Sequence, residues 1–370
     1  MNDRADKETV RIFTEEPENE LWKWILQYSY KANIERHFEE KGISIPEDSV
    51  DSVYNSISGA ILQGDEYYRA CKTASLQIEP LLLYYGSTNL FYALYILKNG
   101  SVPNIKNHGM KIRNCDQNPN IADTIIEFNN YADGAVHKFA PLLGFSHNLC
   151  NYHDWKLYDF LDSIAEITSD YERCYGKKSN ILLLDTIKTP TGTVEKVYLS
   201  QSEYSLLQKV EGFTESYLNP QVGNKEGYLV LRHKMMAKPI SFNTYSGQTY
   251  LQVAHTKDTK NISIPAAMNM YISLFALSTL CRYDPGTWNP FVTQDPSGER
   301  LVFEKLLYYS RRMLPNVVLN QIVDKDIAFV SDRYHPEDRI QFVGVHEVQD
   351  IVSRKVKEQI SKELAQAMIK

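Results

Sequence analysis

The run from Leu81 to Leu97 constrains the fold more than any other part of the chain. It is almost unbroken in its apolar character, it follows Pro80 directly, and it carries Gly86, Ser87, Thr88 and Asn89 at its centre. Proline suits the first turn of a helix, where its missing N–H costs no hydrogen bond. A helix that is apolar on every side belongs in a protein core or a bilayer. Hydroxyl and amide groups at mid-helix are costly in either place unless each finds a partner. The pattern therefore predicts a buried helix at the centre of a helical body, and no membrane span.

Other segments fill in that body. Leu21, Trp22, Ile25, Tyr28, Ala32 and Phe38 fall at helical spacing, which predicts one helix from Leu21 to Lys41 ending at Gly42. A second is expected from Asp51 to Leu62, extending through Tyr67 to Ala74, with Ser49 as its N-cap. Between Lys98 and Asp123, asparagine, glycine and proline predict a loop-rich connection, and Tyr152 to Tyr175 predicts another helix.

Around Asn180 the period changes. Ile181–Ile187 and Thr193–Leu199 flank Pro190, Thr191 and Gly192 as a hairpin, and Ile240–Tyr245 with Gln248–Val253 form a second around Ser246 and Gly247. Helices return at Ala266–Tyr283 and Glu299–Leu314. A C-terminal helix carries Val348, Val352, Val356, Ile360, Leu364 and Met368 at steps of four, a stripe for packing on the body or on a second subunit. The expected class is α+β, mainly α. Its parts are an N-terminal helical part at 1–177, an antiparallel β insert at 178–264 and a C-terminal helical part at 265–370 that packs on the first.

Composition narrows the functional classes. A formal charge of -6 over 370 residues argues against a surface that is one continuous sink for nucleic acid or anionic lipid, and leaves room for a local basic groove. The 25 tyrosines predict many hydroxyl contacts at the core edge. Five cysteines, none in a C-x-x-C pair, fit reduced thiols better than a disulfide framework or zinc site. The first twenty or so residues lack the apolar stretch of a secretory signal, so a cytoplasmic location is expected. Phosphate-binding glycine loops, zinc-helix motifs, nucleophile elbows and calcium loops are absent from the sequence, so no metal and no cofactor are assigned.

Four places carry chemistry worth weighing. Tyr84, Tyr85, Ser87 and Asn89 are either core groups satisfied by neighbouring helices or the lining of a polar pocket. In Asn107-His108-Gly109 an imidazole stands in a loop where it can reach a cleft or simply make a turn. Tyr271, Ser278 and Arg282 share a helix face, with Tyr283 and Trp288 just beyond; Arg282 either complements the helix C-terminus or binds phosphate. Arg339 and His346 are separated by six residues.

Three stretches carry a likeness to a known family: Pro80–Leu94, then Asn107-His-Gly109, then Leu277–Pro285 with Trp288. The early Trp22-Lys-Trp24, Leu142–Ser146 and the late Pro315–Leu319 also fit the family's order. The chain resembles the YaaC-like family of bacterial proteins along most of its length. More remotely, the tyrosine pair and the later His-Gly are similar to the HEPN helical fold, which includes RNases of toxin and antiviral systems. That resemblance implies a helical bundle, a two-fold homodimer, and metal-independent cleavage by an arginine and a histidine with four to six residues between them. Arg282 has no such histidine; Arg339 and His346 alone fit, on a weak helix former, so they are the catalytic pair only if the protein is an RNase.

The resulting expectation is a protein that binds a nucleotide, RNA or a protein partner in stress or phage defence, through Tyr85, Asn89, His108, Arg282, Tyr283 and Trp288. An RNase and a purely structural subunit are the alternatives.

Overall fold

The structure, a computed structural model, describes residues 9–113, 120–130, 132–152, 154–189, 192–199, 201–222, 228–234, 240–244, 246–257 and 260–330. The expected C-terminal helix, Arg339 and His346 lie outside these residues. The chain forms two compact units: one holds the described residues up to Ser179 and from His255 onward, the other Asn180–Ala254.

The first unit opens with β1 (Thr9–Phe13), α1 (Pro17–Leu26), α2 (Lys31–Lys41), α3 (Val50–Cys71) and α4 (Glu79–Asn99). β2 (Met110–Arg113), β3 (Ile125–Phe128) and β4 (Trp155–Lys156) make a small antiparallel sheet around α5 (Ala135–Phe139), and α6 (Leu157–Leu161) and α7 (Thr168–Tyr175) follow. The second unit contains β5 (Ile181–Thr189), β6 (Gly192–Tyr198), α8 (Phe213–Ser216), β7 (Gln221–Val222), β8 (Tyr228–Arg232), β9 (Phe242–Asn243) and β10 (Thr249–Gln252). The chain then returns to the first unit through the hairpin β11 (His255–Lys257) and β12 (Lys260–Ile262), α9 (Ala266–Tyr283), α10 (Pro285–Gln294), α11 (Arg300–Val323) and β13 (Asp326–Val330).

The class is α+β and mainly α, with an antiparallel β insert. In the insert the strand order is β7-β8-β6-β5-β10-β9, every pair antiparallel, over a core that includes Leu184, Val197, Leu229, Leu231 and Leu251. β1 and β13 pair in parallel.

Before the β insert, three points differ from the helix pattern of the sequence. The helix expected over Leu21–Lys41 breaks at Tyr30, whose backbone is extended (φ -98, ψ 129), and Ser29 closes the preceding turn by donating its hydroxyl to the Leu26 carbonyl at 2.8 Å. Ser49 does not cap α3 with its side chain, which bonds Asp48 instead. The stretch from Tyr152 to Tyr175 is two short helices after a strand, because Trp155 and Lys156 complete the β2-β3-β4 sheet.

α4 and α9 form the centre. Leu83, Tyr84, Leu90, Phe91 and Leu94 of α4 are fully buried, as are Met268, Tyr271, Leu274 and Leu277 of α9. α3 crosses α4 closely at two glycines. A Cβ on Gly86 would stand 2.7 Å from the Tyr68 ring and 3.1 Å from the Tyr67 Cβ, and one on Gly64 would stand 3.2 Å from Leu90. Overpacking such a contact costs about 1–3 kcal/mol, and the better helix propensity of alanine returns up to about 1. Gly86→Ala is therefore expected to destabilise the protein by about 1–2 kcal/mol in urea unfolding. An unchanged midpoint would mean that the helices have room to part.

Candidate functional site

Two prolines start the helices that build the site: Pro80 lies in the first turn of α4 and Pro265 precedes α9. The Tyr84 and Tyr271 rings stack at 5.3 Å, and both are fully buried, so their hydroxyls must be bonded within the protein. The Thr88 hydroxyl donates to the Tyr84 carbonyl at 2.8 Å, and the Tyr271 hydroxyl lies 3.2 Å from Thr88 Oγ1 and 3.4 Å from the Tyr84 hydroxyl. Tyr84 in turn meets His108 Nδ1 at 2.8 Å.

Donors and acceptors balance in one arrangement. Thr88 commits its proton to a carbonyl, Tyr271 donates to the Thr88 or Tyr84 oxygen, and Tyr84 donates to Nδ1, which leaves the His108 proton on Nε2. Burial pushes the His108 pKa down, and the Arg282 charge adds to it. Burial also pushes Tyr84 well above the usual phenol value and Tyr271 up to about 12. The chain of hydroxyls is thus a neutral, uncharged relay ending at a neutral imidazole.

The loop that presents His108 is fixed by its neighbours. Asn107 Oδ1 accepts from the Gly109 amide at 2.8 Å, and Gly109 takes a left-handed backbone (φ 74) against Gly134. Any side chain at Gly134 would collide with the Gly109 backbone at 2.7 Å.

Arg282 ends α9 beside this relay. Its Nε donates to the Ser278 carbonyl at 3.1 Å and its Nη1 to the Tyr85 hydroxyl at 2.5 Å. The guanidinium lies 5.3 Å from the Tyr85 ring centre and 4.7 Å from that of Tyr283. Tyr85 is itself stacked on Tyr67 of α3 at 6.0 Å. Among the described residues no carboxylate pairs with Arg282, and Tyr283 is 73% exposed.

The structure thus brings Tyr85, His108, Arg282 and Tyr283 together. Ser87 is a core hydroxyl, 2.8 Å from that of Tyr68. The Asn89 side chain is half-buried and has no hydrogen bond among the described residues. Trp288 is 1% exposed with its indole N–H donated to the Gln77 carbonyl at 3.2 Å, so its ring offers no open face to a ligand. Tyr67, which holds Tyr85 in place, carries no sequence signal beyond its position on a helix.

All of these residues lie inside the stretch that a family comparison recognises. The model of the YaaC-like protein family matches residues 26–322. The chain belongs to the YaaC-like family. No curated protein and no solved structure matches it. In this YaaC-like protein Arg339 and His346 fall beyond the matched stretch. No helix among the described residues is long and apolar enough to cross a membrane.

A second polar cluster of the YaaC-like chain joins Asp159, Asp162 and His255, whose ligating atoms lie within 4.8 Å of one another. Sequence spacing does not reveal it, because His255 arrives from a distant hairpin. Lys257 already supplies positive charge there: its ammonium lies 3.0 Å from Asp159. His255 Nε2 is 2.9 Å from the Ser163 hydroxyl and 3.4 Å from Asp162. Both neighbours share one ring nitrogen and Ser163 is 1% exposed, so the trio lacks the geometry of a nucleophilic triad.

Proposed function

We propose that this YaaC-like protein binds an anionic ligand bearing an aromatic base, a nucleotide or a short single strand of RNA, at Arg282 and Tyr283. One observation carries the reading: an arginine with no carboxylate partner among the described residues lies close to two tyrosine rings, one of them mostly exposed. Nε and Nη1 are committed within the protein, which fixes the guanidinium plane and leaves Nη2 for a phosphate oxygen. The face of Tyr283 turned away from Arg282 is a platform for a base. The overall charge of -6 makes this a local recognition patch rather than a broad polyanion surface.

The test is equilibrium binding of labelled oligonucleotide RNA and of free nucleotides at fixed salt. Arg282→Ala and Tyr283→Ala are each expected to weaken binding about tenfold or more, the size of one lost stacking or charge-assisted contact. Arg282→Lys should restore only part, because an ammonium keeps the charge but not the plane. Absence of binding by the parent, or binding by both alanine variants as tight as the parent's, would remove the reading. The same RNA followed for breakage in chelator tests the alternative of an RNase, which would lose cleavage in His346→Ala.

A further inference from the structure

A second site lies between α1 and α3, and neither Tyr67 nor Tyr85 lines it. α1 and α3 enclose a cavity of about 300 Å³ whose lining includes Trp22, Leu26, Asp65, Tyr68, Arg69 and Lys72. Its floor is apolar: Trp22 and Tyr68 are buried, with ring centres 5.1 Å apart. The volume is at the small end of the range for ligand pockets.

The charges around the cavity are not equivalent. At the rim Lys23 pairs with Glu20, Lys72 with Glu18, and Asn19 donates to Glu16. Asp65 differs from these, being only 5% exposed. Arg69 Nη2 reaches its Oδ2 at 2.6 Å, and Oδ1 has no partner among the described residues. Oδ1 is not one of the sealed, unbonded oxygens of the core, so it stays open to the cavity, and burial of the rest of the side chain holds the Asp65 carboxyl above its usual range. Arg69 is 62% exposed in its side chain, so the remaining N–H groups of its fork stay open at the mouth.

We propose that this cavity binds a small zwitterion of the free α-amino acid class with an apolar or aromatic side chain. The ammonium would donate to Asp65 Oδ1, the carboxylate would accept from the open N–H groups of Arg69, and the side chain would rest on Trp22, Leu26 and Tyr68. A simple anion would face the Asp65 charge, a simple cation would face Arg69, and a neutral apolar molecule would leave Oδ1 without a donor. A zwitterion sets its two charges head to tail against the ion pair and satisfies both. The site shares no residue with the proposed nucleotide patch, so the two stand or fall separately.

The experiment is calorimetric titration of the full chain with free amino acids, and with the N-acetyl and the carboxamide derivatives of whichever binds tightest. An apolar or aromatic amino acid is expected to bind, and removal of either charge should weaken it about tenfold or more. Asp65→Asn and Arg69→Gln should each weaken it similarly, with unchanged circular dichroism. If Asp65→Asn fails to fold, Arg69→Gln decides, because its side chain is mostly in solvent. The proposal is overturned if no amino acid binds, if the N-acetyl or carboxamide form binds as well as the zwitterion, or if the folded variants bind like the parent.

Discussion

Glu299→Ala is expected to destabilise the protein by about 4 kcal/mol or more, enough to unfold a marginally stable domain. Glu299 is fully buried, and its carboxylate gathers four donors. The Ile121 amide reaches Oε2 at 2.7 Å and the Ala122 amide reaches Oε1 at 2.9 Å. The Tyr175 hydroxyl donates to Oε1 at 2.8 Å and the Ser297 hydroxyl to Oε2 at 2.6 Å. One side chain therefore ties the turn before β3, the end of α7 and the start of α11. Alanine would leave two amides and a phenol buried without acceptors, each at about 1–3 kcal/mol. Glu299→Gln should cost about 2–3 kcal/mol, since its NH₂ would point a donor at donors. Tyr175→Phe, which removes one donor and no acceptor, should cost only about 1. Urea unfolding of the three variants measures the order. A Glu299→Ala protein as stable as Tyr175→Phe would show that these segments hold together without the carboxylate.

That role was invisible in the sequence for a physical reason. Glu299 reads as the polar residue at the start of a helix, whereas all of its partners except Ser297 come from segments more than a hundred residues away. What was legible rests on local chemistry. α9 runs from Ala266 to Tyr283 as its period and the flanking Pro265 and Asp284-Pro285 predict, and β5 and β6 flank the expected turn. α4 was recognisable because Tyr84, Ser87 and Thr88 are out of place in an apolar run, and each is bonded across to another element or to its own helix backbone. The break at Tyr30 has no glycine or proline to announce it. α11 errs the other way: Pro315 suggests a stop after Leu314, yet the helix continues to Val323 with the proline inside it. A proline removes one N–H donor and strains one turn, and packing of Val318, Leu319 and Ile322 into the core outweighs that cost.

The candidate site shows the same division. Arg282 and Tyr283 are neighbours in sequence, so their pairing could be anticipated. The stacking of Tyr85 on Tyr67 depends on how closely α3 approaches α4, which Gly64 and Gly86 permit but do not specify. Asp65 and Arg69 look like an ordinary surface ion pair at helical spacing. Only the packing of α1 over α3 makes Asp65 a buried group.

Two buried histidines, His37 and His255, and the half-buried His108 give the protein a stability that declines on acidification. An unfolded histidine titrates near 6.5. Burial pushes the His255 pKa down to about 4, outweighing the pull of Asp159, which Lys257 partly cancels. Burial also lowers His37, whose Nε2 lies 3.2 Å from the Leu97 carbonyl and whose pKa is depressed further by Lys41 and Lys98. His108 is lowered by burial and then by Arg282. For a group depressed on folding, the unfolded chain takes up the proton first. Its stabilisation is complete above about pH 6.5 and is lost as the pH falls toward the folded value. His255 alone accounts for about 3 kcal/mol between pH 6.5 and about 4. Asp65 and Glu79 act in the opposite sense, since burial raises both and their protonation favours the folded state at the acid end of this window. The acids act only as the pH falls to their raised folded values, whereas the loss from the three histidines begins at about pH 6.5. Urea midpoints measured at about pH 7.5 and about pH 5 should therefore fall with acidity. His255→Gln, which keeps a hydrogen-bonding group beside Ser163 but cannot take up a proton, should flatten the decline. Equal slopes for parent and variant would place the acid sensitivity elsewhere.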